Sequence, residues 1–460
     1  MNNLTRETAR GLASQSAPHA AHAPQATHAS AAASERHCAS HGLWQRTAPG
    51  ARELGELTEN LLADVLVIGA GYTGLSTALH LRERHVSVVV LEATDIGFGG
   101  SGRNVGLVNA GMWVMPEVVV ERLGPDYGNR LLQSLADAPG VVFGLIEKYA
   151  IACEALRSGT LHCAVGRKGL VEVRERARQW QARSAPVTLL NARETRMRVG
   201  SDAYCAALFD ARAGTIQPLA YARGLAEAAR AGGARIYIRS PAVAARTSER
   251  GWIVDSPAGS VRAEWIVVAT DAYATGPWDI VRREQVHLPY FNFATPPLAE
   301  SVRKSILPGG EGAWDTRQVL SSFRLDAAGR LVFGSVGALR GPGTRVHEQW
   351  ARRAARRIFP QLGNTAFEAG WFGHIGMTAD NLPRFHVFAP RVVGFNGYNG
   401  RGIAPGTAFG RILAELVVGE RREQDLPLPV SAPRGIAWRS LREAAYEYGA
   451  GALHLAGARF

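Results

Sequence analysis

The segment Asp64-Val-Leu-Val-Ile-Gly69-Ala-Gly71-Tyr72-Thr73-Gly74, followed by Val88-Val-Val-Leu-Glu92, constrains this chain more than any other. It reads as a strand, a tight glycine turn, a helix and a second strand that ends on an acid. Gly69 permits the turn, Gly71 lets backbone approach a pyrophosphate, and Gly74 lets the helix lie close to the sheet. Tyr72 and Thr73 open the helix, where unpaired N–H groups and the positive dipole end favour a phosphate. Glu92, 23 residues beyond Gly69, stands where an acid accepts hydrogen bonds from a ribose. A lone glycine motif is weak in a glycine-rich chain. With its strand, helix and acid in order, it specifies a dinucleotide-binding βαβ unit.

A chain of 460 residues can bury a large core and is expected to form two domains. It has no apolar run of about eighteen residues, so no membrane span is expected. Arg6 and Arg10 precede no apolar segment, which argues against a secretory signal. Cys38, Cys153, Cys163 and Cys205 lack CxxC or metal-ligand spacing and read as reduced thiols of a cytoplasmic protein. No metal is expected. The net charge of +12 is largely scattered arginine, as in Arg352-Arg-Ala-Ala-Arg-Arg357. That run reads as the solvated face of a helix anchored by Ala351, Ala355 and Ile358. No nucleic-acid motif accompanies it, so nucleic acid is not an expected partner.

Residues 1–42 are rich in Ala, Ser and His and nearly free of large apolar side chains, so disorder is expected there. His19, His22, His28, His37 and His41 are irregularly spaced, which speaks against a metal site. The first βαβ unit spans about 62–93, and the glycine-rich loop 97–107 follows. Residues 116–150 read as helical, and 160–200 mixes short strands with a helix near 170–183. A second organised unit starts at Gly214-Thr-Ile-Gln-Pro218. It continues as helix 219–231, a strand at 235–238 and a meander at 243–245, 251–255 and 261–263. The run 265–270, apolar on both faces, reads as a central parallel strand. Alternation through 285–340 suggests a separate antiparallel sheet. Val392 to Gly406 is again strand and glycine loop, before a helix at 407–418.

Six motifs in this order resemble the glycine/D-amino acid oxidase superfamily of FAD-dependent oxidoreductases, in particular its gamma-glutamylputrescine oxidoreductase branch. They are Leu-Trp-x-x-Thr-Ala at 43–48, the glycine motif at 67–78, Ser-Gly-Arg-Asn at 101–104, Gly-Thr-Ile-Gln-Pro at 214–218, Trp-x-Gly-x-x-x-x-Thr-x-Asp at 371–380 and Gly-Tyr-Asn-Gly-Arg-Gly-Ile at 397–403. The resemblance covers about 43–420. It implies an α/β fold: a Rossmann-like FAD domain assembled from 43–115, 195–284 and 370–425. An inserted α+β substrate domain from 116–194 and 285–369, with a mainly antiparallel sheet, and a C-terminal extension at 426–460 complete it.

The resemblance also implies a non-covalent FAD, since no cysteine falls at a linkage position. Gly69, Gly71, Tyr72, Thr73 and Gly74 would hold its pyrophosphate and Glu92 its ribose. Ser101, Gly102, Arg103 and Asn104 would wrap the pyrophosphate and the flavin edge, and the backbone of Val243 would meet the adenine. Gly400, Arg401, Gly402 and Ile403 would lie against the flavin, where a helix start stabilises a reduced, anionic ring. Two departures stand out. Many relatives carry histidine at Arg401, so this arginine adds charge near the flavin or near a substrate carboxylate. Amino acid oxidases of the family often place a carboxylate-gripping arginine where this chain has Ile375, which argues against a simple α-amino acid and fits an amine whose reacting carbon carries no carboxylate, unless an arginine from another strand supplies the clamp.

The expected reaction is oxidation of an amine C–N bond by hydride transfer to flavin N5, giving an imine and then an aldehyde. His374, Tyr398 and Arg401 are the candidate catalytic side chains. O2 is the expected acceptor. The alternatives are a dehydrogenase serving an electron carrier or quinone, and a non-catalytic flavin-binding regulatory protein. The substrate, the acceptor and the oligomeric state are not legible in the residues.

Overall fold

A computed structural model describes residues 41–50 and 52–457. The N-terminal histidines, apart from His41, and Cys38 lie outside the described residues. His41 does not belong to a tail: it is buried, with Nε2 3.2 Å from the Gly97 carbonyl. Gly42 beside it turns at φ 57°, and a side chain there would collide with Trp371. Ordered packing therefore begins at least two residues before the expected boundary.

The first eight-stranded sheet is built on Asn60–Ile68. Gly259–Val268 pairs parallel to one side of it and Val88–Leu91 to the other. Arg235–Tyr237 adds parallel to Val88–Leu91, and Val392–Asn396 adds parallel to Gly259–Val268. Arg384–Ala389 closes that edge antiparallel. The separate strands expected at 261–263 and 265–270 are one continuous strand, Gly259–Val268. It pairs antiparallel with Gly251–Ser256 over residues 259–263 and parallel with Asn60–Ile68 along its length. Burial explains this: Ile266, Val267 and Val268 are covered on both faces, whereas Arg262 and Glu264 reach solvent.

The second eight-stranded sheet runs in the order Ala369–Met377, Val286–Ala294, Leu331–Val336, Ser321–Leu325, Gly312–Asp315, Thr160–Ala164, Ala206–Asp210, Val187–Leu190. All neighbours are antiparallel except Gly312–Asp315 beside Thr160–Ala164. The architecture is thus mixed α/β with a parallel and a mainly antiparallel sheet. The second sheet takes in Ala206–Asp210 and Ala369–Met377, which the sequence reading grouped with the first. The strand Ala369–Met377 carries part of the site described below.

Helix Pro116–Lys148 is broken at Gly124, whose φ of 76° is followed by Pro125. The arginine-rich helix Pro342–Ile358 buries Ala351, Ala355 and Ile358 and turns its arginines outward, Arg352 pairing with Glu348. Among the described residues, no helix is long and apolar enough to cross a membrane, and no His/Cys/Asp/Glu group is arranged to hold a metal. Cys153, Cys163 and Cys205 are free thiols.

Candidate functional site

Two strand–glycine–helix junctions lie side by side. Helix Tyr72–Arg82 follows the first and helix Ile403–Val417 the second. Their close approach depends on small residues. A Cβ at Gly410 would sit 2.6 Å from the Thr73 carbonyl, and one at Gly406 would sit 3.1 Å from Thr73 Oγ1. Ser76 Oγ donates to the Thr407 carbonyl at 2.7 Å, and Thr73 Oγ1 shares a 2.6 Å hydrogen bond with the Tyr398 hydroxyl. Neither helix start has a side-chain cap or an acid in its first turn. Two positive dipole ends are therefore presented together, as an anionic cofactor requires. The second helix starts at Ile403, four residues before the sequence suggested, which puts Gly400, Arg401 and Gly402 at its threshold.

The glycine turn has the expected form. Gly69 sits at φ 103°, and a Cβ on Gly74 would lie 2.0 Å from the Gly69 carbonyl. A methyl at Gly71 would meet Ser101 Oγ at 2.9 Å. Ser101 itself accepts the Tyr72 N–H at 3.1 Å, so the loop after Val88–Leu91 folds over the helix start. Glu92 accepts N–H bonds from Ala70 (2.8 Å) and Thr94 (2.9 Å). Burial raises its pKa, and the two N–H bonds counter that. A carboxylate has about four acceptor positions, so two remain for a ribose. These features fit the phosphate and ribose of FAD.

Several expected cofactor contacts also bond within the protein, although one terminal nitrogen of Arg103 is buried without a hydrogen-bond partner. The Arg103 guanidinium is buried and turned inward: Nε donates to the Phe98 carbonyl at 2.7 Å and one terminal nitrogen to the Phe372 carbonyl at 3.3 Å. It also rests 4.6 Å from the Phe98 ring centroid. Asn104 donates to the Gly100 and Ser101 carbonyls and accepts the Gly106 N–H, so it clasps its own loop. A buried polar side chain takes whatever backbone partners lie nearest, and here these belong to the loop and to strand Ala369–Met377. The Val243 amide donates to the Asp255 carbonyl at 2.8 Å, which removes the donor expected to face an adenine.

Strand pairing also relocates the proposed catalytic side chains. A Cβ at Gly400 would lie 3.3 Å from Ile375 and 3.6 Å from Trp113 Nε1, so Ile375 faces the second junction. His374 is its neighbour on a β-strand and points the other way. Its ring lies 5.8 Å from that of His287, and burial, with Arg340 and Arg103 nearby, lowers its pKa to about 4. His374 and Ile375 therefore lie on opposite faces of the strand, and it is Ile375 that meets Gly400. Tyr398 is bonded to Thr73 and its pKa is raised by burial, so it is a brace between the junctions. Asp271 and Thr378, which sequence reasoning passed over, hold the second junction. Asp271 accepts the Gly397 N–H at 2.8 Å, and Asn399 Oδ1 accepts the Thr378 N–H at 2.8 Å. The Thr-x-Asp end of the 371–380 motif was the available signal for Thr378.

Arg401 is the largest surprise. Its guanidinium is buried between two indoles, 4.7 Å from the Trp113 ring centroid and 5.0 Å from that of Trp314. One terminal nitrogen donates to the Ala110 carbonyl at 2.9 Å. Burial first, then the nearby Arg176, pushes its pKa down to about 9.

Comparison with known proteins agrees with this architecture. The model of the DAO family, FAD dependent oxidoreductase, matches residues 64–416. The chain is 30% identical to a probable oxidoreductase OrdL of Haemophilus influenzae, over 85% of this chain and 91% of that one. It is 33% identical to the gamma-glutamylputrescine oxidoreductase of Escherichia coli, over 80% and 87% respectively. Among solved structures, the glycine oxidase of Geobacillus kaustophilus superposes with a TM-score of 0.68 at 20% identity, covering 82% of this chain and all of that one.

Proposed function

The chain belongs to the DAO family of FAD-dependent oxidoreductases, and we propose that it oxidises the C–N bond of an amine whose reacting carbon bears no carboxylate. One observation carries this reading: the aliphatic Ile375, with the indole edge of Trp113 beside it, lies over Gly400, at the threshold of helix Ile403–Val417. A wall of that kind suits the uncharged methylene of an amine and carries no arginine at the Ile375 position itself. The similarity to an enzyme named for a glutamylated diamine points the same way.

Bound FAD supplies the two-electron acceptor. The chain's own residues hold and orient. Gly69, Gly71 and Gly74, with the first turn of helix Tyr72–Arg82, bind the phosphates. The Thr73–Tyr398 bond fixes the two helix starts against each other. Ile375 and Trp113 keep water from the reacting carbon, which favours the neutral amine that must react. The imine then hydrolyses to an aldehyde. O2 is the proposed acceptor, with a carrier or quinone as the alternative.

The test is anaerobic titration of the yellow holoenzyme with primary amines, secondary amines and α-amino acids, followed by its visible spectrum. Bleaching by amines that lack an α-carboxylate is expected. Bleaching by α-amino acids alone would overturn the reading, and no bleaching by any donor would favour a regulatory flavoprotein. Oxygen uptake on re-aeration, with peroxide formed, distinguishes oxidase from dehydrogenase.

A further inference from the structure

Helix Arg439–Ala456 lies beyond the residues matched by the DAO family model, and one of its faces is fastened to the second sheet and to helix Pro342–Ile358. Ala450 and His454 are buried there, and the His454 ring stacks on Trp350 at 3.8 Å. Glu443 accepts the His287 N–H at 3.0 Å, and Glu447 pairs with Arg340. These contacts fix which face looks outward, and that face is apolar. Among the described residues twelve large hydrophobic side chains are exposed, and six of them lie between 438 and 455. Trp438 is 78% exposed, Leu441 67%, Tyr448 77% and Leu455 60%. With the exposed Ala445 and Ala452 they recur at alternating intervals of three and four residues. That spacing is the seam of a helix that packs against another helix, and apolar exposure concentrated this way marks an interaction surface.

Two further features of this helix cost stability that the single chain does not recover. Trp438, at its start, holds a left-handed φ of 56°, a conformation that bulky side chains rarely adopt, while its ring stands in solvent. Gly449 and Gly451 interrupt the helix, although a Cβ at either would meet no atom within 4 Å. Glycine weakens a helix and serves where another backbone must come close. No described residue comes close to these two, so the neighbour they suit belongs to another molecule.

A second copy of the chain fits the face. With the two helices antiparallel about a two-fold axis between positions 445 and 448, Leu441 meets Ala452 of the second copy. Tyr448 then meets its Ala445, and Trp438 its Leu455. Each inner layer sets a large side chain against a small one, and the axis repeats the match, so one surface is complementary to itself. Charge agrees. The first turn holds no acid, and Arg439 and Arg442 stand at the positive end of their own helix dipole. Antiparallel pairing lays the exposed Arg442 over Gly449 and Gly451 of the second copy, toward the negative end of that helix. If each of the six exposed side chains loses about 100 Å², the pair buries roughly 1,200 Å² in all, the lower bound for a specific interface.

We propose that helix Arg439–Ala456 is a dimer interface, through which two copies of this chain pack antiparallel along the seam from Trp438 to Leu455. The left-handed Trp438 and the two open glycines are then explained by the partner: the indole closes each end of the seam, and the glycines let the helices approach. The interface is independent of the amine reading above, since it lies on the C-terminal helix and uses no residue of the glycine junctions.

The test is sedimentation velocity of the flavin-loaded full chain from about 0.1 to 50 μM, a range that brackets an interface of this size. A dimer that dissociates on the order of 1 μM is expected. Leu441→Glu and Tyr448→Glu each place two charges in the seam of a dimer and should raise the Kd about a hundredfold, with flavin content and circular dichroism unchanged. The register is tested in a Cys38→Ser, Cys205→Ser background. There Leu441→Cys together with Ala452→Cys should give disulfide-linked dimers on oxidation, and Leu441→Cys alone should not. Wild type monomeric at the highest concentration would overturn the proposal, as would a dimer indifferent to both glutamates. Crosslinking by Leu441→Cys alone would overturn the antiparallel arrangement. A monomer that dimerises once residues 2–40 are deleted would give the face to that segment. A monomer that floats with phosphatidylglycerol vesicles would give it to lipid, and either result ends the assignment to a second copy.

Discussion

Two buried arginines, Arg324 and Arg401, have opposite surroundings. Arg324 lies where the second sheet meets the glycine-rich loop. Nε donates to the Val105 carbonyl at 2.9 Å and the terminal nitrogens to Ile216 (2.8 Å) and Leu325 (3.1 Å). Its guanidinium rests on Trp44 at 5.0 Å, and burial lowers its pKa. Every nitrogen is used by the chain itself, so this arginine is a rivet. Arg401 is also stacked on tryptophan and also buried, yet it makes one hydrogen bond to protein and leaves Nε unpaired. Burial and an aromatic neighbour do not tell a structural cation from a receptive one. The two differ in how many of their donors the protein satisfies.

The comparison predicts opposite stability effects. Arg324→Met leaves three carbonyls without a donor and should destabilise by about 3–5 kcal/mol, roughly 3–6 °C in melting temperature for a chain of this size. Arg401→Met removes a buried charge that the protein does not pair, so its melting temperature should stay within roughly 1–2 °C of wild type or rise. Equal losses in thermal scans of the two variants would break the distinction.

Acid sharpens it next, because His41 lies in the same seam as Arg103 and the glycine-rich loop. Burial, and then Arg103, depress its pKa from 6.5 to about 4. A histidine held neutral contributes its full stability above its unfolded pKa. Between pH 6.5 and about 4 the unfolded chain takes up a proton that the folded chain refuses, so stability falls with falling pH and levels off below. Melting temperature should therefore drop from pH 7 to pH 4.5, and less steeply in His41→Gln. Parallel slopes in the two proteins would remove His41 as the cause.

The smallest effect is expected at His374, which lies on the far face of strand Ala369–Met377 from Ile375. His374→Ala should keep kcat/KM within about threefold of wild type. Loss of an acid–base group costs about a hundredfold or more. A drop of that size in steady-state kinetics would return the role to His374 and move the site to the other face of the strand.

The first junction was legible in residues 64–92 because its constraints are local. Gly69, Gly71 and Gly74 answer to a turn and a helix start a few residues apart, and Glu92 to one strand length. The second junction was legible for the same reason, although its helix begins at Ile403, before the region where apolar spacing becomes regular. The face of Ala369–Met377 was not legible. Gly, His, Ile and Gly in succession carry no apolar alternation, so only pairing with Val286–Ala294 fixes which residues look toward Gly400. Arg103 and Asn104 bond to backbone carbonyls of their own loop and of strand Ala369–Met377, partners that no spacing in the chain announces.

By itself, then, the sequence determined the βαβ cradle and the second glycine junction, which short-range backbone geometry dictates, while the family and its cofactor followed from the resemblance of its motifs. Tertiary structure alone decided the fate of the arginines. Trp113, His162, Arg176, Trp314 and Arg401 come from separate segments, and no spacing in the chain brings them together. Whether a guanidinium is riveted or left open depends on which carbonyls its fold delivers to it, and that is fixed only when the two sheets pack.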